Sequence, residues 1–224
     1  MMGVNLIEAC RKNLVGKVVV VGTVCSYPKY TSVPFNEDEL WNGFPEETNA
    51  PYGIAKKALI VMSQAYRQQY GTNIINLLPV NLYGPGDHFD PKISHVIPAL
   101  IKKIIEAKET GQNEVTIWGT GTATREFFYV GDAAEAVVMA SEKVNISDPI
   151  NLGSSTEISI KDLVELLTKL INYKGKIIWD RSKPDGQPRR MLNTAKASEL
   201  FGFKSHTTLE VGLKRTIQWY LKSK

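Results

Sequence analysis

Tyr52 and Lys56 stand four residues apart in the stretch Ala50-Pro51-Tyr52-Gly53-Ile54-Ala55-Lys56. Pro51 pre-sets the backbone of a first helical turn. Ala55 to Met62 continue with helix formers and an apolar face. Residues four apart on a helix share a face, so the phenol and the ammonium can converge. A phenol with an ordinary pKa near ~10 is a poor acid at neutral pH. A neighbouring ammonium favours the phenolate and brings such a group towards the range of efficient proton transfer. That is chemistry suited to a carbonyl oxygen. The same spacing also suits a packed ring beside a solvated amine, so the pair gains meaning only from what surrounds it.

The elements that must position this pair read as α/β. Residues 3–14 have the apolar spacing of a helix. Lys17 to Val21 is a continuous β-branched run ending at Gly22, the pattern of a strand buried on both faces of a parallel sheet. The turn Thr23-Val24-Cys25-Ser26-Tyr27-Pro28-Lys29 follows at its carboxyl end. Ligands of open α/β sheets bind beyond the carboxyl ends of strands, which places Thr23 and Cys25 next to a ligand. A long loop leads to the Tyr52 helix, which Gly71 ends. Asn73 to Leu78 is the next strand, and Pro79 to Asp87 is a loop at its carboxyl end. Strand, helix and strand in succession predict a βαβ unit with a right-handed crossover.

Further on, Ser94-His95-Val96-Ile97-Pro98 opens a helix through Ala107. Val115–Trp118 and Arg125–Val130 read as strands, and Asp132 as the cap of a helix over 133–143. Ile150–Gly153 is a short strand. Ser159 to Asp162 starts a capped helix that runs to Ile171. Lys176–Trp179 is a strand, and two amphipathic helices near 194–200 and 208–221 end the chain. The fold class expected is the C-terminal part of a doubly wound Rossmann-type parallel sheet plus a smaller mixed α/β substrate lobe. Residues 1–90 form the partial dinucleotide-binding domain. Residues 91–224 form mainly the lobe, with some segments returning to the first part. The cleft between them is the expected ligand site.

Composition narrows the classes. The chain has 224 residues, 43% hydrophobic and 22% charged, which suits a globular protein with a sizeable core. The formal net charge of +4 suits a phosphate-bearing small ligand and is too weak to argue for nucleic acid. Only two cysteines occur, Cys10 and Cys25, which argues against a disulfide framework and for a reducing, cytoplasmic setting. No apolar run approaches a membrane span, the N-terminus does not read as a signal peptide, and no metal is expected.

Six blocks in order carry a resemblance. They are Gly22 to Lys29, Pro51 to Lys56, Pro79-Val80-Asn81-Leu82-Tyr83-Gly84-Pro85, Ser94 to Leu100, Trp118-Gly119-Thr120-Gly121-Thr122-Ala123-Thr124-Arg125-Glu126-Phe127, and Lys183-Pro184-Asp185-Gly186-Gln187-Pro188-Arg189. Together they resemble the GDP-L-fucose synthase family of extended short-chain dehydrogenases/reductases, over essentially the whole chain. The resemblance implies 3,5-epimerisation of GDP-4-keto-6-deoxy-D-mannose and then NADPH-dependent reduction of its C4 ketone. Epimerisation beside a ketone needs a base on one face and an acid on another. Cys25 and His95 match the family's pair, and a thiol near ~8.5 or an imidazole near ~6.5 suits that task. Tyr52 would protonate the nascent alkoxide, with Lys56 beside it on the nicotinamide ribose. Thr23 would bind the ketone oxygen.

The resemblance further places Val21, Gly22, Thr23, Val24, Pro79, Val80, Asn81, Leu82 and His95 along the nicotinamide half of NADP(H). It places Lys103, Trp118, Arg125 and Asp185 on the GDP-sugar. Lys103 and Arg125 would neutralise diphosphate oxygens, Trp118 would offer an apolar face, and Asp185 would accept hydrogen bonds. It also implies a homodimer through helices flanking the sheet. Each residue alone has a plainer reading: Cys25 as a small buried hydrophobe, His95 as a helix-start residue, Thr23 as turn chemistry. Two related readings stay open: another GDP-sugar epimerase/reductase of the colitose type, and a non-catalytic nucleotide-sugar-binding lobe.

One family feature is missing. No Gly-x-x-Gly-x-x-Gly occurs in the sequence, although the family carries that loop after its first strand to hold the cofactor pyrophosphate. The chain reads as N-terminally truncated, starting in a helix ahead of the fourth strand. On that reading the function belongs to the parent enzyme, and the chain alone is expected neither to bind NADPH tightly nor to turn over.

Overall fold

The computed structural model describes residues 1–90 and 93–224. In chain order the elements are α1 (Met2–Lys12), β1 (Val18–Val21), α2 (Ala50–Tyr70), β2 (Ile74–Pro79), β3 (Asn81–Tyr83), α3 (Val96–Glu109), β4 (Glu114–Trp118) and β5 (Thr124–Tyr129). They continue with α4 (Val130–Lys143), β6 (Pro149–Leu152), β7 (Glu157–Ser159), α5 (Ile160–Ile171), β8 (Lys176–Asp180), α6 (Ala195–Phe201) and α7 (Leu209–Lys222). The class is α/β with a Rossmann-type parallel sheet.

That sheet has the order β1-β2-β6, with Val18 opposite Ile74 and Asn76 opposite Pro149. Its two faces explain the unbroken apolar run of β1. Val18 and Val20 pack with Ile74 and Ile7 under α1 and α2. Val19 packs on the other face, against the core that Leu77, Ile150, Ala136 and Ala197 share. Val21, at the strand's end, is exposed instead of buried, because it opens into a cleft.

Beside this sheet, β3, β5 and β7 form a second one, and β4 and β8 a parallel pair. Helices α3, α5 and α7 supply Ile101, Leu167 and Leu213 to a separate core against them. The division expected between residues 90 and 91 falls beside Pro91 and Lys92, which lie outside the described residues.

Two expectations are corrected here. The stretch 79–87 is not loop throughout: β2 runs on through Pro79, and Asn81–Tyr83 forms β3, parallel to Phe127–Tyr129. Three residues give too short a pattern to read, and the partner supplies the order. Asp132 does not cap α4. The helix starts at Val130, directly after β5, and Asp132 lies inside its first turn. Its carboxylate turns to the segment ahead of α7, accepting from the Ser205 hydroxyl at 2.7 Å and from the His206 and Thr207 amides at 2.9 Å each. Burial alone would raise its pKa, but these hydrogen bonds hold it below the ordinary carboxylate range.

Candidate active site

The carboxyl ends of β1 and β2 open into a cleft of about 520 Å³. A single turn shapes one wall. The Thr23 hydroxyl accepts from the Cys25 amide at 3.2 Å and so caps the short 3-10 turn Val24–Ser26. Thr23 is largely buried, and Cys25 is half-buried at the rim.

Helix α2 brings the other wall. Its N-terminus abuts the turn so closely that a Cβ on Gly53 would stand 2.3 Å from the Cys25 carbonyl oxygen. The buried Ser26 hydroxyl donates to the Gly53 carbonyl at 3.2 Å, fastening the two. Glycine at this position lets Tyr52 and Lys56 reach the strand end. The Lys56 ammonium donates to the Val21 carbonyl at 2.8 Å and lies 5.9 Å from the centre of the Tyr52 ring. Tyr52 itself is 51% exposed, its ring presented to the cleft and not packed away.

The remaining wall comes from β3, β5 and the start of α3. Pro79, Val80, Asn81 and Leu82 line it, and so do His95 and Arg125. The Asn81 amide donates to the Glu126 carbonyl at 2.8 Å, which ties β3 to β5. His95 is the residue before α3, with extended backbone and an exposed ring. Thus Val21 to Cys25, Tyr52, Lys56, Pro79 to Leu82, His95 and Arg125 all meet in one cavity.

The other three expected substrate residues stand elsewhere. Trp118 is 69% exposed, with the Lys183 ammonium 5.6 Å above its ring. Asp185 has both oxygens engaged: the Thr120 amide and the Thr120 hydroxyl each donate at 2.7 Å. Those bonds hold its pKa below the ordinary range. Its backbone carbonyl meets Arg125 at 3.5 Å, so Asp185 joins the cleft through that arginine. Lys103 lines a separate hollow of about 470 Å³ with Gln112 to Thr116.

Two further residues that the sequence reading left without a site role complete the surroundings. Glu126, fully buried, receives the Ser155 amide at 2.6 Å and the Leu192 amide at 2.8 Å. Burial pushes its pKa up against those bonds. Arg190 points its guanidinium at the Cys25 sulfur, 3.7 Å away. Burial lowers the pKa of Arg125, and the charge of Arg190 adds to that effect. In the sequence, Arg190 stands out only as half of the basic pair Arg189-Arg190.

Comparison with known proteins fits this arrangement. Residues 1–153 match the model of the NAD dependent epimerase/dehydratase family. The chain belongs to that family. A probable GDP-L-fucose synthase of Oryza sativa subsp. japonica is 42% identical over 220 residues, 98% of this chain and 67% of the relative. A GDP-L-colitose synthase of Yersinia pseudotuberculosis is 37% identical over 229 residues, 100% of this chain and 73% of the relative. A crystal structure of a GDP-L-fucose synthetase of Naegleria fowleri bound to NADP superposes with a TM-score of 0.94 at 28% identity. That match covers 99% of this chain and 71% of the other. Among the described residues no helix is long and apolar enough to cross a membrane.

Proposed function

We propose that this chain carries the chemistry of a GDP-L-fucose synthase: epimerisation of GDP-4-keto-6-deoxy-D-mannose at C3 and C5, then reduction at C4. One observation carries the reading. A single cleft beyond the strand ends gathers a Tyr-x-x-x-Lys pair, a hydroxyl, a thiol and an imidazole. Relatives about 40% identical across nearly the whole chain bear the same name.

The residues have separable duties. The Thr23 hydroxyl donates to the ketone oxygen and fixes the sugar over the strand end. Cys25 and His95 exchange protons with the carbons flanking the ketone. Each carbon loses a proton while its electron pair passes into the enolate, and regains one from the opposite face. Tyr52 donates its phenolic proton to the C4 oxygen as reduction completes. Lys56 spans from the Val21 carbonyl towards the Tyr52 ring, holding the proton donor at the cleft. Arg125 supplies a fork for a diphosphate oxygen. Asp185 borders it through its backbone carbonyl, and Trp118 and Lys103, which do not line the cleft, act only if substrate reaches them.

NADPH, when bound, supplies the hydride. The residues fit its nicotinamide end. Val21 to Val24 and Pro79 to Leu82 make a mostly apolar slot, His95 borders it, and the Lys56 ammonium keeps donors beyond the one given to Val21. Residues 1–90 act mainly in dinucleotide binding and 91–224 mainly as the substrate lobe. A cytoplasmic homodimer that binds neither nucleic acid nor membrane completes the reading.

The test is product analysis after incubation with GDP-4-keto-6-deoxy-D-mannose and NADPH, in a protein that also supplies the Gly-x-x-Gly-x-x-Gly loop this sequence lacks. GDP-L-fucose is the expected product. A C4-reduced sugar with C3 and C5 unchanged would refute the epimerase half. The colitose-type relative supports a second reading, in which a related GDP-keto sugar is the preferred substrate. Competition between the two substrates decides it.

A further inference from the structure

We propose that Arg190 is a positioning residue for Cys25. It docks its guanidinium on the sulfur and offsets the negative charge that sulfur carries during proton transfer. The inference rests on the reading of Cys25 as one of the two proton-exchanging groups.

The contact is built from several sides. Arg190 Nη1 lies 3.7 Å from Cys25 Sγ, between residues 165 positions apart in the chain. The other edge of the guanidinium is occupied. Nε and Nη2 donate to Gln187 Oε1 at 3.2 and 2.8 Å. Gln187 in turn donates from Nε2 to the Lys29 carbonyl at 2.9 Å, just past the Cys25 turn. The backbone is fixed too: the Arg190 carbonyl accepts from the Glu126 amide at 3.1 Å, and Leu192 donates to the Glu126 carboxylate. A solvated arginine has no such restraint, whereas this one presents one nitrogen to one sulfur. The planar fork allows both contacts at once, which a lysine cannot reproduce.

The chemistry needs a cation there whichever way the proton moves. If Cys25 gives a proton to carbon it becomes a thiolate, and if it takes one it begins as a thiolate. Either way the pair of S–H electrons rests on sulfur for part of each turnover. A hydrogen bond from a charged donor is worth most while the sulfur is negative. Arg125 also feels the charge of Arg190, so a negative sulfur relieves a repulsion between two guanidiniums.

The experiment measures deuterium entering C3 and C5 of GDP-4-keto-6-deoxy-D-mannose in D2O without NADPH, with GDP affinity followed by calorimetry. Arg190→Met should slow exchange about 10- to 100-fold with GDP affinity unchanged, and Arg190→Lys should recover part of it. Gln187→Leu, which frees the guanidinium's other edge, should slow exchange about two- to tenfold. It decides the matter if Arg190→Met does not fold. Exchange at the wild-type rate in Arg190→Met or Gln187→Leu, with Cys25→Ser inactive, overturns the role of Arg190 alone. A loss of exchange matched by an equal loss of GDP affinity assigns Arg190 to the diphosphate and overturns it too. Wild-type exchange in Cys25→Ser would instead remove the assignment of Cys25 beneath it.

Discussion

Replacing Gly53 with alanine should damage both stability and chemistry, and the structure says by how much. The added Cβ would sit 2.3 Å from the Cys25 carbonyl oxygen and 3.1 Å from its carbon. That is roughly 1 Å inside ordinary contact. Both obstacles are backbone, so no rotamer change relieves them. Overpacking of this kind costs ~1–3 kcal/mol. Alanine's better helix propensity returns at most ~1 kcal/mol. A net loss of about 1–2 kcal/mol is expected, read as a lower urea midpoint with unchanged slope. The relief must separate α2 from the strand-end turn, and with it Tyr52 from Thr23. A misplacement of about 1 Å can cost about a hundredfold in rate. Gly16→Ala is the control, because nothing lies within 4 Å of its added carbon. A Gly53→Ala protein as stable as wild type, with full rates of exchange and ketone reduction, would refute the claim that this glycine sets the geometry.

Other expectations follow from buried polar groups. Asp132→Ala leaves the Ser205 and Thr207 hydroxyls and two amides without their acceptor, and should cost about 3–5 kcal/mol in denaturant unfolding; a loss below about 1 kcal/mol would contradict that accounting. Burial raises the folded pKa of Glu126 above its unfolded value. Its contribution is therefore fully present below the ordinary carboxylate value of ~4.3 and is lost as pH rises through the folded value. The stability gap between wild type and Glu126→Gln should accordingly narrow as pH rises above the ordinary carboxylate range. A gap that widens as pH rises would show that the hydrogen bonds from Leu192 and Ser155 outweigh burial.

Much of the candidate site was legible because the residues that meet in the cleft lie close together in the sequence. Tyr52 and Lys56 lie one helical turn apart, and Thr23 and Cys25 lie two apart at one strand end. The valine run of β1 announced a two-faced strand, and Gly71 marked the end of α2 by its left-handed backbone. What escaped depends on partners distant in sequence. Asn81–Tyr83 becomes a strand only through Phe127–Tyr129. Asp132 looked like a cap because its acceptor role towards residues 205–207 is set by packing. Arg190 meets Cys25 only once the chain has folded back on itself. Lys103, placed with the substrate by resemblance, sits on a stretch of α3 that borders a different hollow, and spacing alone does not tell which hollow a helical residue borders.

In the proposed mechanism one cleft holds two separable proton-transfer systems, one for the flanking carbons and one for the ketone oxygen. Tyr52→Phe separates them with little disturbance, since the ring is half exposed and only its hydroxyl is removed. The measurement follows deuterium entry at C3 and C5 and NADPH oxidation side by side in this variant. The expected result is exchange at the wild-type rate with NADPH oxidation slowed at least ~100-fold. Loss of both together at unchanged GDP affinity, or loss of neither, would contradict it.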